Sequence, residues 1–150
     1  MLRHRDGSKL SKYWQYDAVL AGSGEPQIYS KLMRDSQAMI ADHVLAAVDL
    51  SDCHHLLDIA GGTGAFARRA LESSNHLTAT VLDLPAVVSQ GLEHEPEKTR
   101  LQFAGADMFE GNLPLGADCA SFIRVLHDHD DEQVRLVLEN AFKAPKPGGR

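Results

Sequence analysis

His55-Leu-Leu-Asp-Ile-Ala-Gly-Gly-Thr-Gly-Ala-Phe66 reads as a buried strand that breaks into a glycine loop and opens a helix. Glycines at 61, 62 and 64 let the backbone turn sharply and come close to a ligand, and free N–H groups at the helix start face it. A loop of this kind suits a nucleotide-like cofactor. Asp58, inside the strand just ahead of the glycines, begins to separate a methyl donor from a dinucleotide.

Outward from this stretch, strand and helix alternate. Strand one spans His54 to Ala60, and a helix follows from Gly64 to about Ser73. Strand two runs from Thr78 to Leu84, a Pro85-initiated helix reaches about Leu92, and a short strand covers Leu101 to Ala104. The apolar run from Ala117 to Leu126 makes a fourth strand. The last helix has Asp130 as N-cap with Gln133 three residues on, Asp131 and Glu132 at its positive end, and a stripe of Val134, Val137, Leu138 and Ala141. This order implies an α/β fold, a Rossmann-like doubly wound parallel sheet.

Upstream, two helices are expected, from about Lys9 to Leu20 and from about Gln27 to Val48, separated by Gly22-Ser-Gly-Glu-Pro26. Met33, Ile40, Val44 and Val48 give the second one an apolar stripe. The domain reading is a helical lead-in over residues 1–50 and a cofactor-binding part over 51–150. Lys143-Ala-Pro-Lys-Pro-Gly-Gly-Arg150 is the turn that carries a helix back into another strand, so the chain reads as truncated.

Composition narrows the class. The 150 residues are 43% hydrophobic and 24% charged, ordinary for one globular domain. A net charge of −6 argues against a nucleic-acid surface, and the only basic clustering is Arg3, Arg5, Lys9 and Lys12. No apolar run approaches the roughly 18 residues of a membrane span, and the first residues lack the apolar core of a secretion signal. A cytoplasmic location is expected. Cys53 and Cys119 have neither zinc nor disulfide spacing and are expected to be reduced.

In doubly wound sheets, ligands bind where loops leave the carboxyl ends of the strands. Four stretches qualify: Ala60–Gly64, Asp83–Pro85, Ala106–Phe109 and Arg124–Asp130. Gly62-Thr-Gly64-Ala-Phe-Ala67 fits the relaxed dinucleotide pattern, and Asp83 is spaced as a ribose-binding acid, which a nicotinamide enzyme would also need. Its alternative reading is a helix cap ahead of Pro85. A buried acid at Asp58 is costly unless it organises loop N–H groups or meets a cation. S-adenosylmethionine carries such a cation, whereas the pyrophosphate of a dinucleotide would be repelled.

Asp107 is placed to accept an adenine amino proton, with Met108 packing on the ring; a turn-forming role is the alternative. In Arg124-Val-Leu-His-Asp-His-Asp-Asp131, His127 follows the apolar strand and has the chemistry of a general base. His129 reads as a loop residue facing elsewhere. A metal site from His127, Asp128, His129, Asp130 and Asp131 is disfavoured, because adjacent residues do not converge and Asp130 caps a helix.

Together Leu57-Asp-Ile-Ala-Gly-Gly-Thr-Gly64, Leu82-Asp-Leu-Pro85, Gly105-Ala-Asp-Met-Phe109, Arg124-Val-Leu-His-Asp128 and Lys146-Pro-Gly-Gly149 resemble the class I S-adenosylmethionine-dependent O-methyltransferases that act on small molecules. The resemblance runs from about Tyr29 to Arg150. It implies S-adenosyl-L-methionine as cofactor, a small-molecule hydroxyl substrate, and a homodimer for the full-length protein. It also implies that Asp58, Ala60, Gly62 and Gly64 form the methionine-side loop, that Asp83 holds the ribose, and that Asp107 and Met108 meet the adenine. Arg124, Met33 and Gln37 would lie near the cofactor, and His127 would be the base. The run after strand four looks most like bacterial members that methylate a carotenoid hydroxyl.

Three departures accompany the resemblance. Ala60 stands where the family has its first glycine, and His129 where it has tryptophan. The family's amino-terminal dimerisation domain and the last three of its seven strands have no counterpart in this sequence. The competing readings are an NAD(P)-dependent oxidoreductase, resting on the loop and Asp83, and an inactive methyltransferase fragment.

Overall fold

Segments rich in apolar residues at 55–59 and 78–83 can bury both faces only inside a sheet covered by helices, and the computed structural model has them as the two central strands, with 101–105 at one edge. It describes residues 26–92 and 100–150, with side chains from residue 36 on. The expected helix Lys9–Leu20, the turn after it and the basic cluster lie outside the described residues.

The elements are α1 (Pro26–Ala47), β1 (His55–Ile59), α2 (Ala65–Ser73), β2 (Thr78–Asp83), α3 (Pro85–Leu92), β3 (Leu101–Gly105), β4 (Cys119–Ser121) and α4 (Asp131–Phe142). The chain divides into residues 1–36 and 37–150, and the sheet with its two cores belongs to the second unit. All four strands are parallel, in the order β3-β2-β1-β4, with Asp58 of β1 in register with Val81 on one side and Ser121 on the other.

Alternate residues of each strand feed two cores. Leu56, Ala79, Val81, Leu101 and Cys119 pack with Ala41 of α1 and with Phe66, Ala67, Ala70 and Leu71 of α2. Leu57, Ile59 and Leu82 pack on the opposite face with Val137 and Ala141 of α4. This is the doubly wound layering that alternating strands and helices require. Both cysteines are buried and free.

Two expectations are corrected. The fourth strand covers Cys119–Ser121 instead of Ala117–Leu126, and the positive φ of 62° at Arg124 bars any extended strand from continuing to Leu126. The remaining apolar residues, Phe122, Val125 and Leu126, still serve the second core, but from a loop ending in a single 3-10 turn, Leu126–Asp128. In α4, Leu138 is 45% exposed, and Asn140 takes a buried place that an apolar stripe would not predict. The capping box at Asp130 and Gln133 forms as expected.

Among the described residues, no helix is long and apolar enough to cross a membrane.

Candidate functional site

The carboxyl ends of all four strands lead into loops carrying the singled-out residues, so the sheet brings those stretches to one edge. After β1 the chain reverses through Ala60, Gly62 and Gly64, with φ of 54°, 63° and 83°. Each residue of this loop is constrained differently. A Cβ on Gly61 would lie 2.5 Å from Asp58 Oδ2, so that glycine is required by the acid beneath it. One on Gly64 would press on Val81 and Phe103 at 3.2 and 3.3 Å. One on Gly62 would meet nothing within 4 Å, which marks the side of the loop open to a ligand.

Ala60 carries a Cβ in the left-handed region, a strain of about 1–2 kcal/mol for an L-residue. Glycine's extra unfolded-state freedom offsets about 0.4–1 kcal/mol of that. Ala60→Gly should therefore raise stability by about 0.5–1 kcal/mol. Chemical denaturation checks this, and a destabilised variant would show that the Ala60 methyl makes packing contacts worth more than its strain.

Asp58 is 0% exposed and faces α2 from beneath the loop. Its Oδ1 accepts a 2.7 Å hydrogen bond from the Ser121 hydroxyl, its register partner on β4. No donor of the described residues meets Oδ2 at hydrogen-bond geometry. Burial pushes the carboxyl up to about 7, helped by the charge of Asp83 and opposed by the Ser121 hydroxyl and the Ala67 amide in the first turn of α2. Among the described residues no loop N–H donates to this acid: the Gly62 amide goes to Asp83 and the Gly61 amide to Leu82 O.

Asp83 closes the other side. Its Oδ2 accepts from Gly62 N at 2.8 Å and its Oδ1 from Leu84 N at 2.7 Å, while Gly61 N donates to Leu82 O at 3.3 Å. The carboxylate thus ties the glycine loop to the end of β2 and also serves the start of α3. Each oxygen keeps a second lone pair. Burial raises this carboxyl's pKa, and the Gly62 and Leu84 amides pull it down.

On the next loop, Asp107 Oδ1 accepts from Phe109 N at 2.9 Å and Asp107 O from Glu110 N at 3.1 Å, so the acid does form the Asx turn. Met108 is only 9% exposed and lies in the second core with Leu57, Ile59 and Val125, so most of its side chain is occupied there.

Arg124 is half-buried in the loop after β4. His127, on the 3-10 turn, has a 56% exposed side chain, and its Nε2 lies 3.2 Å from Asp128 Oδ1. His129 is a loop residue whose ring packs edge-on against Phe109, centroids 5.3 Å apart, joining the loops after β3 and β4. Gln37 is half-buried on α1, and Met33 lies where side chains are not described. Among the described residues no group of three or more His, Cys, Asp or Glu is placed to hold a metal.

Three partners escaped sequence reasoning: Ser121, Asp128 and Asn140. A hydroxyl in the short strand opposite Asp58, and an amide three residues from Val137 on a buried stripe, were the available signals. Asn140 Nδ2 donates to Met108 O at 3.1 Å and Phe109 O at 3.3 Å, so α4 grips the loop of Asp107.

Comparison with known proteins agrees with this geometry. The profile of the O-methyltransferase domain matches residues 10–150. Demethylspheroidene O-methyltransferase of Rhodobacter capsulatus is 37% identical over 145 residues, 95% of this chain and 36% of that protein. Acetylserotonin O-methyltransferase of Gallus gallus is 36% identical over 129 residues, 85% of this chain and 35% of that protein. The crystal structure of human N-acetylserotonin methyltransferase in complex with S-adenosylmethionine matches with a TM-score of 0.79 at 30% identity, covering 91% of this chain and 39% of that one. The chain spans little more than a third of the length of the curated relatives it matches.

Proposed function

This chain belongs to the O-methyltransferase domain family, and from that premise we propose that it forms the S-adenosylmethionine-binding face of an enzyme methylating a hydroxyl of a small apolar molecule. The observation that carries the reading is Asp83. Its oxygens already hold the Gly62 and Leu84 amides, and one remaining lone pair on each can accept from the two hydroxyls of a ribose.

The residues fit the rest of that cofactor. Gly62 leaves the loop open on its ligand side, and Gly64 lets α2 begin against Val81 and Phe103. Asp107 uses Oδ1 in its own turn, which leaves Oδ2 to accept from an adenine amino group. Gln37 and Arg124 complete the proposed contacts. Asp58 lies beneath the loop, close enough to Gly61 to exclude a side chain there, and in its ionised form adds negative field toward a cationic ligand.

When bound, S-adenosylmethionine supplies an electrophilic methyl group on a sulfonium. His127 supplies the base. Asp128 Oδ1 lies 3.2 Å from His127 Nε2, and an imidazole nitrogen that carries its lone pair can accept the substrate hydroxyl proton. The loops after β3 and β4, joined by Phe109 and His129, would hold the adenine end of the cofactor and the base in fixed relation, and such positioning lowers barriers by as much as about 7–11 kcal/mol. The identity to demethylspheroidene O-methyltransferase supports a hydroxycarotenoid as substrate.

Calorimetric titration tests the cofactor. S-adenosylhomocysteine should bind the protein that carries this chain, and Asp83→Ala should weaken it at least tenfold, the cost of about 1.4 kcal/mol in lost ribose hydrogen bonds. NAD(H) should not bind. Tight NAD(H) binding with no S-adenosylhomocysteine binding would replace this reading by an oxidoreductase.

A further inference from the structure

Asn140 sits in the third turn of α4, far from the strand ends in sequence, yet is 7% exposed and turned toward the Asp107 loop. Its Nδ2 donates to two consecutive carbonyls, Met108 O at 3.1 Å and Phe109 O at 3.3 Å. A Cβ built on Gly111, at φ 76°, would lie 3.3 Å from Asn140 Oδ1, so the amide is seated against the end of the same loop. The loop is therefore held twice: inside by the Asp107 turn and outside by a buried side chain.

The same helix is capped by Asp130, one residue beyond His129 at the end of the histidine turn. Asp130 accepts from Gln133 N at 2.9 Å, and Val134 N donates to Asp130 O at 2.9 Å, so the helix is capped two residues after the turn Leu126–Asp128 that carries His127. Just ahead of that N-cap, His129 packs on Phe109. One rigid element thus touches both the acceptor loop and the base turn. A helix of 12 residues is stiff over this length, so moving the Asn140 contact moves Asp107 relative to His127.

We propose that Asn140 is a positioning residue for cofactor binding: its two hydrogen bonds set the place of the Asp107 loop relative to the histidine turn. This rests on the S-adenosylmethionine reading of the site. An apolar residue would satisfy the stripe of α4 equally well for packing, but would leave the Met108 and Phe109 carbonyls without this donor.

The test is Asn140→Ser in the protein that carries this chain, read by KM for S-adenosylmethionine, kcat and the S-adenosylhomocysteine dissociation constant. Loss of two neutral hydrogen bonds should raise KM and the dissociation constant about tenfold or more, with kcat at saturating cofactor largely kept. A role confined to folding would lower the melting temperature and leave KM unchanged in the folded variant; that result would overturn the proposal, as would an equal fall in kcat with KM unaltered. Should Asn140→Ser not fold, Asn140→Gln keeps both donors on a longer arm and should still raise KM severalfold; an unchanged KM there overturns the proposal. Absence of S-adenosylhomocysteine binding to the unmodified protein would instead overturn the cofactor reading, so the two failures are distinguishable.

Discussion

His127→Ala will lower methyl transfer by roughly 10²–10⁴-fold, the usual contribution of a positioned general base, and leave S-adenosylhomocysteine affinity unchanged. The imidazole is more than half exposed and contacts Asp128, so its removal opens no core cavity and leaves the glycine loop and Asp83 in place. Single-turnover rates with cofactor bound separate chemistry from binding. Transfer at the unmodified rate would remove His127 from the mechanism. A parallel loss of cofactor affinity would show that the residue acts on the loop rather than on the hydroxyl proton.

Asp58→Asn should have the largest effect on stability, and the effect should depend on pH. The folded-state pKa of Asp58, about 7, lies above the ordinary 3.8, so the folded chain keeps a proton that the unfolded chain has released between those values. Stability from this group is therefore fully present below about pH 4, falls as pH rises toward 7, and stays reduced above it. At about 1.4 kcal/mol per unit, the loss is at most about 4 kcal/mol.

The amide introduced by Asp58→Asn can direct its oxygen at the Ala67 amide and its nitrogen at Ser121 Oγ, since a hydroxyl accepts as well as donates. The variant should match or fall below the unmodified protein near pH 5 and exceed it by a few kcal/mol near pH 8. Denaturant unfolding at both values measures the difference. A difference independent of pH would mean that Asp58 is ionised throughout and that its environment repays the burial.

How much of this was legible in advance differs from residue to residue. The central strands β1 and β2 were readable because most of their positions are buried and apolar, a pattern local to five or six positions, whereas the edge strand β3 keeps only Leu101 buried. Pro85 and the Asp130–Gln133 pair marked helix starts through chemistry confined to one turn. The loop after β1 was readable from its glycines, yet their separate reasons were not: Gly61 answers to Asp58 below it, Gly64 to Val81 and Phe103, and Gly62 alone to open space. Arg124 misled the reading of β4, because hydrophobicity does not report a positive φ.

Sequence by itself determined the layered α/β architecture, the order in which loops reach the site, and the acids and histidine placed there, because burial periodicity and turn chemistry are properties of short segments. Only the tertiary structure decided what those groups do to one another. Ser121 meets Asp58 through strand register, Asn140 reaches the Asp107 loop across 31 and 32 positions, and His129 turns onto Phe109. A polar group buried among apolar neighbours must find its partner in space, and the partner's identity depends on how whole elements pack.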